Sequence, residues 1–137
     1  MSKQLVVYPK KCIGCGTCEQ ICSFVKAGTL EPKYNAITVI VYEEDEFAVP
    51  LMCQQCDEAP CAKICPVAAL YRSDDGVVTY DDEKCIVCRL CADACPMGNV
   101  RYSTLAQKMS KCDRCGGDPK CVSYCPGYVI PVLCRNF

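Results

Sequence analysis

The sequence predicts a small α+β fold stapled by its cysteines in place of a large apolar core. Three observations predict it. Seventeen of 137 residues are cysteine, a density at which small chains are held together by disulfides or metals. All but one of them fall into four groups of four, which makes an internal repeat. Between the groups lie short runs of β-branched and aromatic residues, and within them stretches long enough for one or two helical turns.

Taken in order, the β-rich runs are residues 5–8, 37–41, 47–49, 77–80, 99–102 and 129–132, none of them long enough to form a core alone. Helical turns are expected at 59–65, 89–95 and 120–125, each stopped by the proline that follows, Pro66, Pro96 or Pro126. Asp74-Asp75-Gly76 reads as a turn into the strand that begins with Val77 and Val78. The connection from Cys22 to Cys53, with Gly28, Pro32 and Asn35, reads as a surface excursion.

The choice between disulfides and metals follows from the rest of the chain. The opening MSKQLVVYPKKC has no apolar run of the secretory kind and no twin-arginine motif, so reduced, metal-bound cysteines and a cytoplasmic location are expected. No stretch approaches a membrane span, and direct membrane insertion is not expected. Net charge is −1, from 15 basic and 16 acidic residues, which gives no footprint for nucleic acid. The chain has no histidine, which excludes c-type haem attachment, Rieske ligation, histidine-containing zinc fingers and histidine acid–base catalysis.

The four groups are Cys12, Cys15, Cys18, Cys22; Cys53, Cys56, Cys61, Cys65; Cys85, Cys88, Cys91, Cys95; and Cys112, Cys115, Cys121, Cys125. The first and third read C-x2-C-x2-C-x3-C, the second C-x2-C-x4-C-x3-C and the fourth C-x2-C-x5-C-x3-C. A cubane cluster offers four iron vertices, each needing a thiolate, and a tight C-x2-C-x2-C loop serves three of them while turning its amides toward the cluster. The fourth cysteine, on a helical turn, points away and ligates the other cluster of a two-cluster unit. Zinc is the competing metal, but structural zinc prefers two separated Cys-x2-Cys knuckles. Gly14, Gly16, Gly116 and Gly117 permit close backbone approach to the cluster, and Ile13, Ile64, Ile86, Val87 and Val122 are expected to line it and exclude water. Cys134 has no slot in the four groups and reads as a buried small side chain.

The segment CPVAALYRSDDGVVTYDDEKCIVCRLCADACP resembles the centre of a bacterial two-cluster ferredoxin. KCDRCGGDPKCVSYCP is similar to the fourth motif of four-cluster electron-transfer subunits, and with KCIGCGTCEQIC the likeness covers almost the whole chain. That family includes iron–sulfur subunits of molybdenum or tungsten oxidoreductases of the dimethyl sulfoxide reductase and aldehyde oxidoreductase groups, of formate dehydrogenases, and of carbon monoxide dehydrogenase and hydrogenase complexes. The resemblance implies one four-cluster domain over 1–137, made of two pseudo-twofold-related ferredoxin-like modules: 50–99 from the second and third motifs, and 1–49 with 100–137 from the first and fourth. It also implies the ligand sets. Cys53, Cys56 and Cys61 would share a cluster with Cys95; Cys85, Cys88 and Cys91 with Cys65; Cys12, Cys15 and Cys18 with Cys125; Cys112, Cys115 and Cys121 with Cys22. Every position is cysteine, so four [4Fe–4S] clusters are expected. Cys22 is followed by serine where the other motifs have proline, which puts the chain's exit there in doubt.

The function expected is a non-catalytic electron-transfer subunit in a hetero-oligomer, relaying single electrons between a catalytic subunit and a second redox protein. A tungsten- or molybdenum-pterin enzyme of the aldehyde oxidoreductase type is the favoured partner. Carbon monoxide dehydrogenase, hydrogenase and formate dehydrogenase complexes are the alternatives, together with a free-standing soluble polyferredoxin and an iron–sulfur regulatory or scaffold protein. Residues 23–34 and 128–137 are the candidate docking surfaces.

Overall fold

The computed structural model describes residues 3–31, 34–104, 107–130 and 132–134. The fold is α+β. Among the described residues, eight short strands form four separate antiparallel pairs. β1 (Lys3–Leu5) pairs with β8 (Val132–Cys134), β2 (Ile37–Tyr42) with β3 (Phe47–Met52), β4 (Leu70–Arg72) with β5 (Val78–Tyr80), and β6 (Arg101–Ser103) with β7 (Lys108–Ser110). Among the described residues four α-helices accompany them: α1 (Thr17–Ala27), α2 (Pro60–Ile64), α3 (Leu90–Ala94) and α4 (Lys120–Ser123). None is long and apolar enough to cross a membrane.

The helices α2, α3 and α4 fall where the prolines predicted stops. Cys65 and Cys95 turn out into extended backbone at the ends of α2 and α3, because the following proline disfavours a helical residue before it. At Cys22 no proline intervenes, and the outcome differs from the expected surface excursion. α1 runs straight through Cys22 for eleven residues and ends on Gly28, whose left-handed backbone (φ 70°) lets its amide cap the Phe24 carbonyl at 2.8 Å. The rest of that connection is the β2–β3 hairpin, with Ile37 opposite Met52. β4 and β7 have no signal in the sequence; each is three residues long and carries arginine or lysine, so neither has a readable alternation.

Two apolar clusters hold the structure together. One gathers Ala59, Cys61, Leu70, Val78, Cys91, Val100 and Met109, with Cys65, Cys85 and Cys95 packed against it. The other gathers Leu5, Cys18, Ile37, Met52, Val129 and Ile130, with Cys12, Cys22, Cys121 and Cys125 against it. The helices pair accordingly, α2 against α3 and α1 against α4. Cysteine thiols thus occupy the places that large aliphatic side chains fill in a conventional core.

Polar side chains tie one cluster to the other. Arg101 on β6 donates to the Asn35 side-chain oxygen at 2.6 Å and to the carbonyls of Asn35 and Ile37 at 3.2 and 3.3 Å. Ser110 on β7 bonds the carbonyls of Tyr34 and Asn35. Buried Gln55 accepts from the Val78 amide at 2.7 Å and donates to the Cys112 carbonyl at 2.9 Å, so the second and fourth motifs meet across it. The backbone of Cys134 lies in β8 opposite Lys3; its side chain lies outside the described residues.

Candidate functional site

The repeat written in the cysteine spacing is also written in the backbone. The residue before the second cysteine of every motif is left-handed: Gly14, Gln55, Val87 and Arg114. So is the residue three places after the fourth cysteine in three motifs: Ala68, Gly98 and Tyr128. This conformation costs a non-glycine residue on the order of 1–2 kcal/mol, and it recurs because it folds the chain around its own sulfurs. Gln55 and Val87 direct their amides to the Sγ of Cys53 and Cys85 at 3.4 and 3.3 Å. Ala69 and Asn99 do the same for Cys65 and Cys95, at 3.2 and 3.4 Å. Amides aimed at sulfur stabilise thiolates.

Cys22 lacks that closing turn because α1 continues past it. Its sulfur instead accepts from the Ala36 amide at 3.3 Å, supplied by the residue just before β2. The absence of proline therefore changes where the amide comes from without leaving the sulfur bare.

The structure draws the thiols together across motifs. Cys53, Cys56 and Cys61 line one hollow with Cys95, walled by Ala59, Pro60, Val78 and Val100. Cys85, Cys88 and Cys91 line a second with Cys65, walled by Leu70, Tyr80 and Met109. Burial pushes the Cys121 thiol up to about 12, and the nearby Cys112, Cys22 and Cys115 push in the same direction. Cys18 is likewise raised to about 12 by burial, with Glu19, Cys15 and Cys12 adding to it. Cys125 packs on the same apolar cluster as Cys12 and Cys18. No three histidine, cysteine, aspartate or glutamate side chains among the described residues group around a point where one metal ion would sit. The donor set is all sulfur, arranged around hollows, and it fits a polynuclear core that takes one thiolate per vertex.

Electrostatics differ along the set. Burial raises Cys112 to about 11. At Cys65 burial also pushes upward, but the amides of Leu70, Val67, Ala69 and Ala68 outweigh it and leave the thiol below its ordinary value. The Thr17 hydroxyl, 3.3 Å from the Cys15 sulfur, holds that thiol down as well. Cys15 and Cys88 are the exposed cysteines among the described residues.

The expected apolar lining is only partly present. Val122 packs on the second apolar cluster, but Ile13 is 74 % exposed, Ile86 61 % and Ile64 44 %. The left-handed residue next in the loop turns the amide inward, and the side chain after the first cysteine is left facing out. Ile86 sits at the rim of its hollow. Sequence reasoning missed Gln55 and Lys111, two buried polar residues beside the cysteines; Lys111 donates to the Cys53 sulfur at 3.0 Å.

Comparison with known proteins agrees with this geometry. A family model described as a 4Fe-4S dicluster domain matches residues 44–134, and one described as a 4Fe-4S binding domain matches residues 5–24. The B subunit of the anaerobic dimethyl sulfoxide reductase of Escherichia coli (strain K12) is 34 % identical, over 85 % of this chain and 65 % of its own length. The protein described here therefore spans less than two thirds of that relative. The polyferredoxin-like subunit of the aliphatic sulfonate oxidoreductase of Pyrococcus furiosus is 38 % identical, over 88 % of this chain and 70 % of its own. Among solved structures, the active site complex BamBC of benzoyl coenzyme A reductase, with benzoyl-CoA, matches at a TM-score of 0.58 and 26 % identity, over 96 % of this chain and 78 % of that one. With its repeated cysteine loops, inward amides and all-sulfur hollows, the chain belongs to the 4Fe-4S dicluster domain family and is an iron–sulfur protein.

Proposed function

We propose that this chain is a non-catalytic electron-transfer subunit that relays single electrons through four [4Fe–4S] clusters, between a catalytic oxidoreductase subunit and a second redox protein. The observation that carries the reading is the gathering of thiols from different motifs around common hollows. Cys53, Cys56, Cys61 and Cys95 hold one cluster, and Cys65, Cys85, Cys88 and Cys91 another. Cys22, Cys112, Cys115 and Cys121 hold a third, and Cys12, Cys15, Cys18 and Cys125 the fourth. When bound, each cluster takes up and gives back one electron.

The chain's own residues order these sites into a row. Gln55 and Lys111 join the second motif to the fourth, so the sites of Cys53 and Cys112 are neighbours in the middle. The sites of Cys15 and Cys88 then stand at the two ends, and these carry the exposed cysteines, each with an exposed isoleucine two residues before it. Electron access is at these ends. Of the surfaces expected from sequence, residues 23–34 offer Phe24, Val25 and Leu30 to a partner, whereas Ser23 is buried and residues 32–33 lie outside the described residues. At the other, Tyr128 is exposed, Val129 and Ile130 are buried, and residues 131 and 135–137 lie outside the described residues. The division into modules 50–99 and 1–49 with 100–137 is supported by the two apolar clusters, which follow it except that Met52 packs with residues of 1–49 and 100–137, and Val100 and Met109 with those of 50–99.

The partner is a tungsten- or molybdenum-pterin enzyme of the aldehyde oxidoreductase type, and the complex is a cytoplasmic hetero-oligomer. The relatives named as subunits of oxidoreductases support the hetero-oligomer, and a chain whose cysteines serve as thiolate ligands fits a reducing compartment. Anaerobic purification of the native protein, with iron, sulfide, tungsten and molybdenum quantified, tests all of this. About sixteen irons per chain beside a large metal-pterin subunit is the expected result. The same iron on a lone monomer makes the protein a mobile polyferredoxin, a large subunit without either metal makes the partner a different oxidoreductase, and zinc without sulfide refutes the clusters.

A further inference from the structure

Lys111 is only 3 % exposed, and lysine is almost never buried to that degree without a counter-charge. No carboxylate among the described residues lies within salt-bridge distance of it; the four ion pairs there use Lys26, Lys63, Lys108 and Lys120. Its ammonium nitrogen instead donates to the Cys53 sulfur at 3.0 Å and to the Cys112 carbonyl at 3.3 Å. It also lines the hollow of Cys53, Cys56, Cys61 and Cys95. The backbone from which it reaches in is also held, because the Lys111 carbonyl accepts from the Lys26 ammonium at 2.6 Å.

We propose that Lys111 is a potential-setting residue: a fixed positive charge at the junction of the two modules that makes the cluster on Cys53 easier to reduce and so places an electron-accepting step at the middle of the row. This rests on the relay reading above. The physics is that of one added charge. Reduction puts one more negative charge on the site, and a buried ammonium in hydrogen-bond contact with a ligand sulfur favours that charge far more than a solvated lysine does. The electron comes from the neighbouring redox partner and passes on unchanged in number; Lys111 neither gains nor loses a bond. It acts through Cys53, and is a positioning residue for charge, not a ligand.

The test is a redox titration of the anaerobically purified complex, followed by electron paramagnetic resonance, with iron counted in every variant. Lys111→Met removes both charge and donor, and Lys111→Gln removes the charge while keeping a donor. The expected result is that both lower one midpoint potential by at least a tenfold change in the one-electron equilibrium, about 59 mV, at full iron content. Exposed Lys108→Met, the control, shifts none by that much. If Lys111→Gln titrates like the wild type, the contact works as a hydrogen bond and the proposal falls. It falls also if neither variant moves a potential, or if both lose the iron of one cluster, which would make Lys111 an assembly residue. Where Lys111→Met alone loses iron, the Gln variant decides. A wild-type complex without about sixteen irons overturns the relay reading itself, so the two failures are told apart before any variant is made.

Discussion

Gly127 gives the sharpest test of the proposal that the first and fourth motifs share a site. It stands two residues after Cys125, and a Cβ built on it would meet the Lys11 carbonyl oxygen at 2.7 Å and the Val129 Cγ2 at 3.3 Å. Its φ is not in the left-handed range, so alanine suits the local backbone and the whole cost is steric. A contact near 3.4 Å is ordinary, so the Lys11 carbonyl must retreat by roughly 0.7 Å. Overpacking of that kind costs about 1–3 kcal/mol, which for a chain of this size lowers the melting temperature by about 3–15 °C. The retreating carbonyl belongs to the residue next to Cys12, so the strain is passed straight to a proposed ligand. Gly127→Ala is expected to lose about four irons faster than the rest when challenged with a chelator, measured by iron release under anaerobic conditions. Gly98→Ala is the comparison: its φ is +63° with open space around the added Cβ, so it costs about 1–2 kcal/mol of backbone strain and displaces no neighbouring carbonyl. A Gly127→Ala variant that melts with the wild type and releases iron uniformly would refute the reasoning.

Two further predictions follow from the ligand sets and their surroundings. Cys61→Ala and Cys95→Ala should each remove the same cluster, so the double variant retains as much iron as either single one; iron loss that adds in the double variant would show that the two cysteines serve different clusters. The pH dependence has a definite sign. Burial raises Cys18 and Cys121 to about 12 and Cys112 to about 11 in the cluster-free fold, so the neutral thiols favour that fold fully below their ordinary value of 9.0, and this is lost only as pH rises toward 11–12. Each thiolate bond to iron must expel such a proton, and acid therefore favours the empty fold. Chelator-driven iron loss should slow as pH rises from about 6 to about 9, and a rate that rises over that range would contradict it.

The cysteine spacing marked the candidate ligands because the pattern is local, three thiols on one loop and a fourth on the next turn; which loop each fourth thiol joins was implied only by the resemblance. Proline made α2 to α4 legible for the same reason, since its effect falls on its immediate neighbours. α1 was hidden because its signal is an omission, the serine in place of proline after Cys22, and the helical run behind it mixes exposed Phe24 and Val25 with buried Ser23. β7 could not be read at all. Its partner is set by packing Met109 on the first apolar cluster, and Lys-Met-Ser carries no pattern of its own. Gln55 and Lys111 were invisible for a stronger reason: the sulfur that Lys111 bonds lies 58 positions away, and a lysine beside a cysteine motif reads as solvated charge until the fold buries it. The exposed Ile13 and Ile86 show the converse, where apolar character suggested lining and loop geometry turned the side chain out.

The pairing of β1 with β8 has a consequence for how the protein is made. Lys3 lies opposite Cys134 and Leu5 opposite Val132, so the outer module is closed by strands drawn from far-separated parts of the chain, while the hairpins of the inner one join near neighbours. Closing a longer loop costs more entropy, and distant contacts form later. In the proposed ligand sets the inner thiols have all their partners once Cys95 has emerged during synthesis, but Cys12, Cys15 and Cys18 wait for Cys125, and Cys22 waits for Cys112, Cys115 and Cys121. On that reading a nascent chain carries four unpaired, oxidisable thiols, Cys12, Cys15, Cys18 and Cys22, until the fourth motif has emerged, so topology lets the inner sites fill before the outer ones.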